Sequence, residues 1–464
     1  MSELPSGWIM RRLADVAEVR LGRQRSPARA EGPNMRPYMR AANVSWAGLN
    51  IADVKEMDFT SEEFEVFGLR NGDVLVGEAS GSRLEVGKSA IWRDEVPGAC
   101  FQNTLIRVRC GPELLPEYLQ KHLLHDARSG ALAQIAKGIG IHHLGAQGLA
   151  NWRIAVPPLE QQKRIADKLD ALLARVDACR AGLEATPTHV ARVKRSVYAA
   201  ATTGALTSEW RAERGRTTDD WSESALGDCI DGIEAGLNVQ CDERPPEGSE
   251  RGLVKISAVT WGRYDESQSK TLRDAQNASE RARIAVGDFL ISRANTLELV
   301  GACVIVDLVT RNLFLSDKVL RLGMPSELKP WMLIALRSPE GRRQIESLAS
   351  GNQLSMRNLS QANLRAVRIP LPPPDEREEI VRRCNELLSR ADSLASLAAK
   401  ALAKVNGVAP SLLAKAFRGD LVPQDPTDEP ADALLALLRA AAPEPNPTVK
   451  PTRSRKATTA STRR

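Results

Sequence analysis

The stretch NWRIAVPPLEQQKRI at residues 151–165 recurs as RAVRIPLPPPDEREEI at residues 365–380. In each copy an apolar run ends in consecutive prolines, and a charged segment follows them. Because proline is tolerated in the first turn of a helix and not in its interior, each copy predicts a helix that begins at the prolines. The repeated junction therefore predicts two globular segments, each followed by a long helix.

The similarity extends well beyond this junction. LRNGDVLV at Leu69–Val76 matches IAVGDFLI at Ile284–Ile291, and Trp46 matches Trp261, both at an offset of 215 residues. Both octapeptides read as buried strands preceded by a Gly-Asp turn. Self-similarity at a fixed period is the mark of a duplicated architecture.

The expected fold class is α+β, with two similar α/β domains joined by two long antiparallel helices in a pseudo-two-fold tandem duplication. We expect a first domain at 1–157, a first helical spacer at 158–209, a second domain at 210–372, a second helical spacer at 373–422 and a basic, disordered tail at 423–464.

Both spacers carry an apolar seam with heptad spacing. Its members are Ile165, Leu169, Leu172, Val176, Cys179 and Leu183 in the first spacer, and Ile380, Cys384, Leu387, Ala391, Leu394 and Ala398 in the second. One interpretation packs each seam on the core of its own domain; the other, which two matching seams favour, pairs the helices with each other. A helix over residues 159–184 would be about 37 Å long, close to the roughly 34–36 Å between half-sites on one turn of B-DNA.

Composition sets outer limits on the function. The 464 residues hold seven cysteines without a CxxC pair, no long apolar run and no N-terminal secretion signal, so we expect a cytoplasmic protein with reduced thiols and no membrane partner. The net charge of +6 resides in six Lys and Arg residues after Glu444, which leaves residues 1–449 neutral. A nucleic-acid function must therefore rest on local patches.

Two stretches imitate catalytic or metal motifs. Gly81–Ser89, GSRLEVGKS, has five residues between its first glycine and the GK pair, whereas a phosphate-binding loop has four. His122, His125, His142 and His143 cluster without a further Cys or carboxylate motif, which favours structural or surface roles over metal binding. We expect no metal site in this chain.

The chain resembles the specificity subunit of type I restriction-modification enzymes. The resemblance is carried by LPSGWIMRRLADVAEV, LRNGDVLV, NWRIAVPPLEQQKRIADKLDALLARVD, GDFLISRAN, LRAVRIPLPPPDEREEIVRRCNELLSRAD and LLAKAFRGDLVP, and it covers residues 1 to about 425. It implies two target recognition domains, each reading one half of a bipartite duplex DNA site, and helices that set the gap. It also implies a non-catalytic subunit that docks two methyltransferase (modification) subunits, with restriction (nuclease-translocase) subunits as additional partners. S-adenosylmethionine, ATP and Mg would then be bound by those partners alone.

Within that resemblance, DNA contacts are expected in polar or basic loops that contain small residues. The candidates are Arg20, Arg23, Arg25, Arg36, Arg40, Ser80, Ser82, Arg83, Lys137, Gly138, Gly140, His142 and His143 in the first copy, and Arg293, Asn295, Asn352, Gln353, Ser355, Arg357 and Asn358 in the second. Two alternatives remain: a self-sufficient DNA methyltransferase or NTP-binding DNA enzyme, and a coiled-coil scaffold that does not bind DNA.

Overall fold

The chain folds into two compact units that do not follow the predicted domain boundaries. The computed structural model describes residues 4–26, 30–274, 279–353, 356–433 and 436, with backbone only at 84, 352 and 353. Unit 1 comprises Met1–Ala181 and Leu402–Arg464, and unit 2 comprises Gly182–Ala401. Each predicted spacer is therefore divided between the two units.

The first half of the chain is rich in short strands. They are β1 (Ile9–Arg12), β2 (Ala17–Leu21), β3 (Met35–Met39), β4 (Val44–Ser45), β5 (Gly48–Leu49), β6 (Lys55–Asp58), β7 (Val74–Gly77), β8 (Ala79–Ser80), β9 (Ser89–Ile91), β10 (Cys100–Phe101), β11 (Leu105–Cys110), β12 (His142–His143) and β13 (Arg153–Val156). Its helices are α1 (Ser61–Phe67), α2 (Pro116–Arg128), α3 (Ala131–Ile135), α4 (Ala146–Ala150) and the long α5 (Leu159–Thr202).

The second half repeats this order with local changes. Its strands are β14 (Ser222–Ala225), β15 (Gly232–Ala235), β16 (Cys241–Asp242), β17 (Arg251–Val254), β18 (Ser269–Leu272), β19 (Phe289–Ser292), β20 (Ala294–Asn295), β21 (Cys303–Ile305), β22 (Asn312–Phe314), β23 (Val319–Gly323), β24 (Ser350–Gln353), β25 (Met356–Asn358) and β26 (Arg368–Leu371). Its helices are α6 (Ser208–Ala212), α7 (Ser257–Thr260), α8 (Lys329–Arg337), α9 (Pro339–Leu348), α10 (Gln361–Arg365), the long α11 (Pro374–Val405) and α12 (Val408–Phe417).

The strand pairing confirms the duplication. Unit 1 has an antiparallel sheet in the order β2-β11-β7-β9, and unit 2 has one in the order β15-β23-β19-β21. The first and last strands of each recognition segment also pair antiparallel, β1 with β13 and β14 with β26. In both units a parallel pair accompanies them, β3 with β10 and β17 with β22. The strands predicted from NGDVLV and GDFLIS are β7 and β19, and every residue of both is buried.

Two glycines in matching positions allow the same close approach of two backbone segments in both units. A Cβ atom on Gly22 would lie 2.2 Å from the carbonyl oxygen of Gln102, and one on Gly236 would lie 1.7 Å from that of Leu315. Neither distance is sterically possible, so both positions require glycine. The same close approach of two chain segments has thus been kept in both copies.

The long helices begin where the prolines predict and lie within the predicted spacers. Helix α5 begins at Leu159, has 44 residues and contains Pro187. Helix α11 begins at Pro374 and has 32 residues. In unit 2 the end of α5 runs antiparallel to α11, because Lys194 forms an ion pair with Asp392 and Leu206, just after α5, accepts a hydrogen bond from Arg383.

The predicted seams do not face each other, which corrects the expectation that each covers the other. Ile165 and Leu169 are buried in unit 1 with Leu413, Ala416 and Phe417 of α12. Ile380 and Cys384 are buried in unit 2 with Val197 and Ala201 of α5. In unit 1 the first seam therefore packs on α12, the later part of the second spacer, and on the core of unit 1. In unit 2 the second seam packs on the end of α5, the later part of the first spacer, and on the core of unit 2.

The remaining seam positions are buried to different extents. Ala391 is buried, and Leu172, Val176, Leu183, Leu387 and Ala398 are half-buried. Cys179 is exposed and Leu394 is 60% exposed, so these two are not part of an apolar contact within their units. The apolar seam is thus interrupted at Cys179 in α5 and at Leu394 in α11.

The residues after the second spacer are packed on unit 1, so the predicted tail begins later than 423. The guanidinium of Arg164 binds the carboxylate of Asp428, with Nη1 and Oδ1 3.1 Å apart, and Ala431 is buried in the unit 1 core. Gln424 accepts a hydrogen bond from the indole of Trp8. Residues 434, 435 and 437–464, which carry the basic stretch, lie outside the described residues.

Candidate nucleic-acid interface

In unit 1 the structure joins two candidate segments that are far apart in sequence. Strand β8 pairs antiparallel with β12, which places Ser80 opposite His142. Lys137 and His143 exchange two backbone hydrogen bonds with N···O distances of 2.9 and 2.7 Å. The candidates Ser80, Ser82 and Arg83 therefore lie beside the hairpin that carries Lys137, Gly138, Gly140, His142 and His143.

The base of this hairpin is fixed by a buried carboxylate. Nδ1 of His143 lies 3.0 Å from Oε2 of Glu78, whose residue is 8% exposed. The backbone N–H of Leu144 donates to the carbonyl of Glu78 at 2.8 Å, and Leu144 is itself buried. The hairpin thus projects from a rigid base. Gly138, at φ 121°, would place a Cβ atom 2.1 Å from the carbonyl oxygen of Ile141, so a side chain is not tolerated there.

Unit 2 joins the equivalent segments in the same way. Strand β20 pairs antiparallel with β25, which places Asn295 opposite Arg357. The backbone N–H of Leu359 donates to the carbonyl of Arg293 at 2.8 Å, and Nη1 of Arg357 donates to the carbonyl of Gly351 at 2.8 Å. Asn358 is exposed at the end of this strand pair. The backbone of Asn352 and Gln353 lies in β24, and Ser355 falls outside the described residues.

The arginine-rich stretch does not form one basic face. Arg20 is exposed and its Nε lies 2.7 Å from Oε1 of Glu18, while Arg25 is exposed. Arg36 is half-buried, with its guanidinium 3.8 Å from the ring centre of Phe64. Arg40 is half-buried and pairs with Asp53 at 2.6 Å. Arg20 and Arg25 are thus the most accessible of this group.

Arg23 is a correction to the candidate set. It is 9% exposed, its Nε lies 3.0 Å from Oε1 of Glu63, and its Nη1 donates to the carbonyl of Asp58 at 2.6 Å. Its guanidinium also lies 4.8 Å from the ring centre of Phe59. Burial and these partners make Arg23 a stabilising residue of unit 1 and the least accessible of the arginine candidates.

The histidines and the GK pair have structural partners. His122 is buried, with Nδ1 2.9 Å from Oδ2 of Asp126, which also accepts a hydrogen bond from the indole of Trp152 at 2.7 Å. Lys88 forms an ion pair with Glu85, and the segment continues into strand β9 instead of the helix that follows a phosphate-binding loop. Over the described residues, no group of three or more His, Cys, Asp or Glu side chains is arranged to hold a metal ion.

The cysteines are all free thiols, and burial sets their chemistry. Burial raises the pKa of Cys100, Cys110 and Cys384 to about 12. A thiol with so high a pKa is a poor nucleophile at neutral pH. These three cysteines therefore pack as small apolar residues.

Sequence reasoning missed two exposed residues next to the candidate segments. Trp261 is 72% exposed and follows Thr260, whose hydroxyl lies 3.4 Å from Nδ2 of Asn295. Its counterpart Trp46 is half-buried and donates its indole N–H to Glu85. Ile139, between two glycines of the unit 1 hairpin, is fully exposed. The signal for Ile139 was its apolar character inside a polar, glycine-rich loop.

Comparison with known proteins shows what the chain is similar to. A family model described as "Type I restriction modification DNA specificity domain" matches residues 5–184. The type I restriction enzyme EcoKI specificity subunit of Escherichia coli K12 is 28% identical over 94% of this chain and 96% of its own length. The StySPI specificity subunit of Salmonella potsdam is 26% identical over the same shares of the two chains. The chain is thus similar to type I specificity subunits along most of its length, and the family model covers its first 184 residues from residue 5 onward.

Solved structures show a similar fold. The HsdS subunit from Thermoanaerobacter tengcongensis, at 22% identity, superposes with a TM-score of 0.58 over 90% of this chain and 98% of its own. A chain of a type I R-M system solved in a study of complex assembly and conformational transition has 21% identity and a TM-score of 0.64 over 91% of this chain and all of its own. In the part of the chain that the structure describes, no helix combines the length and hydrophobicity needed to cross a membrane.

Proposed function

We propose that this chain is a type I specificity subunit, that it binds duplex DNA and that each unit reads one half of a bipartite target. One observation carries the proposal: both units bring two distant segments together by the same strand pairing but place different polar side chains there. The pair is Ser80 and His142 in unit 1 and Asn295 and Arg357 in unit 2. A shared frame with different side chains is what two modules need in order to read different sequences.

The chemistry of these side chains suits base recognition. Arginine can bind guanine through two hydrogen bonds, and asparagine can bind adenine in the same way. Arg357 uses one terminal nitrogen on the carbonyl of Gly351, and this bond orients its guanidinium. Arg20, Arg25 and Lys137 are exposed and suit phosphate contacts, which fix register without reading sequence.

The partners follow from the same proposal. The chain acts without a catalytic centre of its own and docks two methyltransferase subunits, which supply S-adenosylmethionine and modify an adenine; restriction subunits, where present, supply the ATP and Mg chemistry. The relatives that support this reading are named as specificity subunits of restriction enzymes. Leu394 and Leu397 of α11 are 60% and 62% exposed, and they offer a partner an apolar contact on the helix.

The decisive experiment identifies the target and then exchanges one domain. Sequencing of methylated adenines in cells with and without the chain gives the bipartite site, and binding of the full-length chain to that duplex is measured by fluorescence anisotropy. Replacing residues 1–157 with the corresponding segment of a relative is expected to change one half of the site. A target whose two halves change together, or a chain that binds all sequences equally, would overturn the proposal.

Saturable binding of S-adenosylmethionine or ATP by the isolated chain would favour an enzyme instead. The same purified chain serves for this measurement by isothermal titration calorimetry. We expect no heat of binding for either compound.

A further inference from the structure

The hairpin of unit 1 presents two apolar side chains at its tip. Ile139 is fully exposed and Ile141 is 56% exposed. Gly138 and Gly140 flank Ile139 with φ angles of 121° and 81°, a conformation that glycine adopts readily and residues with a side chain rarely do. The two hydrogen bonds between Lys137 and His143 close the loop behind them.

Nothing in the described part of unit 1 covers Ile139, so its apolar side chain contributes no burial to the fold. A single exposed isoleucine on a protein surface is ordinary. Here, however, it lies at the end of a rigid hairpin whose base is held by Glu78 and by the β8–β12 pair. The hairpin therefore holds an apolar residue outward from a surface that is otherwise polar and basic.

The surroundings indicate which partner receives this residue. Lys137 and the exposed Arg83 lie on the two segments that meet at the hairpin, and His142 and His143 form its second strand. Basic and polar groups around an apolar tip match a duplex, whose phosphates lie outside and whose apolar base surfaces lie inside the grooves. Lys137 and Arg83 give the surface beside the tip positive charge, which suits a polyanionic partner.

We propose that Ile139, supported by Ile141, enters a groove of the first half-site and contacts an apolar part of the bases. That part is either the face of a base at an opened step or the 5-methyl group of thymine. The inference rests on the proposed function, and it adds a residue that contributes affinity for specific DNA through apolar contact.

The test uses the full-length chain and the duplex identified by methylation sequencing. Ile139→Ala is compared with Ile51→Ala, a control at an isoleucine of unit 1 that is 46% exposed on a different loop. We expect Ile139→Ala to weaken binding of the target about tenfold, as for loss of an apolar hot-spot contact, and Ile51→Ala to bind as the wild type does. The dependence of binding on salt should be unchanged, because no charge is removed.

Two modified duplexes distinguish the two base surfaces. With 2-aminopurine in place of each adenine of the half-site in turn, an opened step gives a fluorescence increase that Ile139→Ala abolishes. With uracil in place of each thymine, a methyl contact gives weaker wild-type binding and no further loss in Ile139→Ala.

The inference is overturned if Ile139→Ala binds the target as tightly as the wild type. It is also overturned if Ile139→Ala changes neither the 2-aminopurine fluorescence nor the effect of uracil on binding. Failure of the proposed function would look different, because the wild-type chain would then prefer no sequence at all. The exposed position of Ile139 allows the alanine variant to keep its fold, which an unchanged thermal transition would verify.

Discussion

The indole N–H of Trp221 donates a 2.9 Å hydrogen bond to Oε2 of Glu376, a residue with no solvent exposure. Oε1 of the same carboxylate accepts from Arg211 and, at 2.7 Å, from Thr207. Unit 1 has a neutral version of this cluster, in which Trp8 donates to Gln161 at 3.0 Å and to Gln424 at 3.2 Å. In each unit the cluster joins the start of a recognition segment, the start of its helix and the end of the other spacer.

The charged cluster predicts a strong dependence on Arg211. Arg211→Met leaves the buried carboxylate of Glu376 without its counter-ion, so the free energy of unfolding of unit 2 should fall by about 3 kcal/mol or more. The double variant Arg211→Met/Glu376→Gln should recover most of this loss, because the uncompensated charge is gone. Urea denaturation of both variants measures the two values; equal destabilisation of single and double variants would contradict the argument.

The neutral cluster of unit 1 provides the matched comparison. Gln424→Met removes one hydrogen bond and leaves no buried charge, so we expect a loss of about 1 kcal/mol. A loss as large as that of Arg211→Met would show that charge is not what distinguishes the two clusters.

Phe417 should be the main anchor of the C-terminal helix on unit 1. Its ring centre lies 5.6 Å from that of Tyr118, 4.6 Å from that of His122 and 5.4 Å from that of His125. Phe417→Ala removes these contacts and should destabilise unit 1 by about 3 kcal/mol. Hydrogen exchange in α12 should be faster in Phe417→Ala than in the wild type. Exchange in α8, which lies in unit 2 and serves as the internal control, should be the same in both.

A decrease in pH should weaken the contact of Phe417 with His125. Burial lowers the pKa of His125, and His122 and Arg418 lower it further against the opposing effect of Asp126. Below the unfolded pKa of about 6.5 the unfolded chain binds a proton that the native chain does not. The stability of unit 1 should therefore fall as the pH decreases from 7.5 to 5.5.

This pH dependence is checked by urea denaturation at the two pH values. His125→Gln should reduce the difference, whereas His142→Gln, on the half-buried strand of the hairpin, should leave it unchanged. A wild-type chain that is equally stable at both pH values would contradict the expected role of His125.

Substitutions of Arg23 and Arg25 should have opposite effects on stability and on the salt dependence of DNA binding. Arg23→Met should destabilise unit 1 and leave the salt dependence of DNA binding unchanged, since its partners are Glu63 and Asp58. Arg25→Ala should leave stability unchanged and reduce the slope of log affinity against log salt by about 0.9, the value for one phosphate contact. Thermal unfolding and salt titrations with the target duplex measure both; a change of slope in Arg23→Met would return that residue to the DNA-binding set.

The sequence predicted the duplication and the helix starts because both depend on local pattern. The prolines before Leu159 and at Pro374 mark helix starts because an apolar strand ends just before them, whereas Pro187 lies inside α5. Ile165 and Ile380, the first residues of the two apolar seams, are buried, whereas Cys179 and Leu394 of the same seams are exposed. Periodicity identifies the face but not what covers it, so the packing of Ile165 near Leu413 and of Ile380 near Val197 could not be derived.

In the candidate site, too, local sequence nominates residues but tertiary contacts decide their neighbours. Arg23 was nominated by local charge density, but its role is decided by Glu63, 40 residues away. Ser80 and His142 were nominated separately, and only the strand pairing shows that they adjoin. The DNA contacts themselves stay a prediction.

The placement of α12 has a consequence for synthesis on the ribosome. Unit 2 is one uninterrupted stretch, Gly182–Ala401, whereas unit 1 needs both ends of the polypeptide. Translation proceeds from the N-terminus, so the globular segment that emerges first must wait for the last helix before its core is complete. The part translated first is thus the last to reach its native packing, and a chain that stops before Val408 leaves that part open.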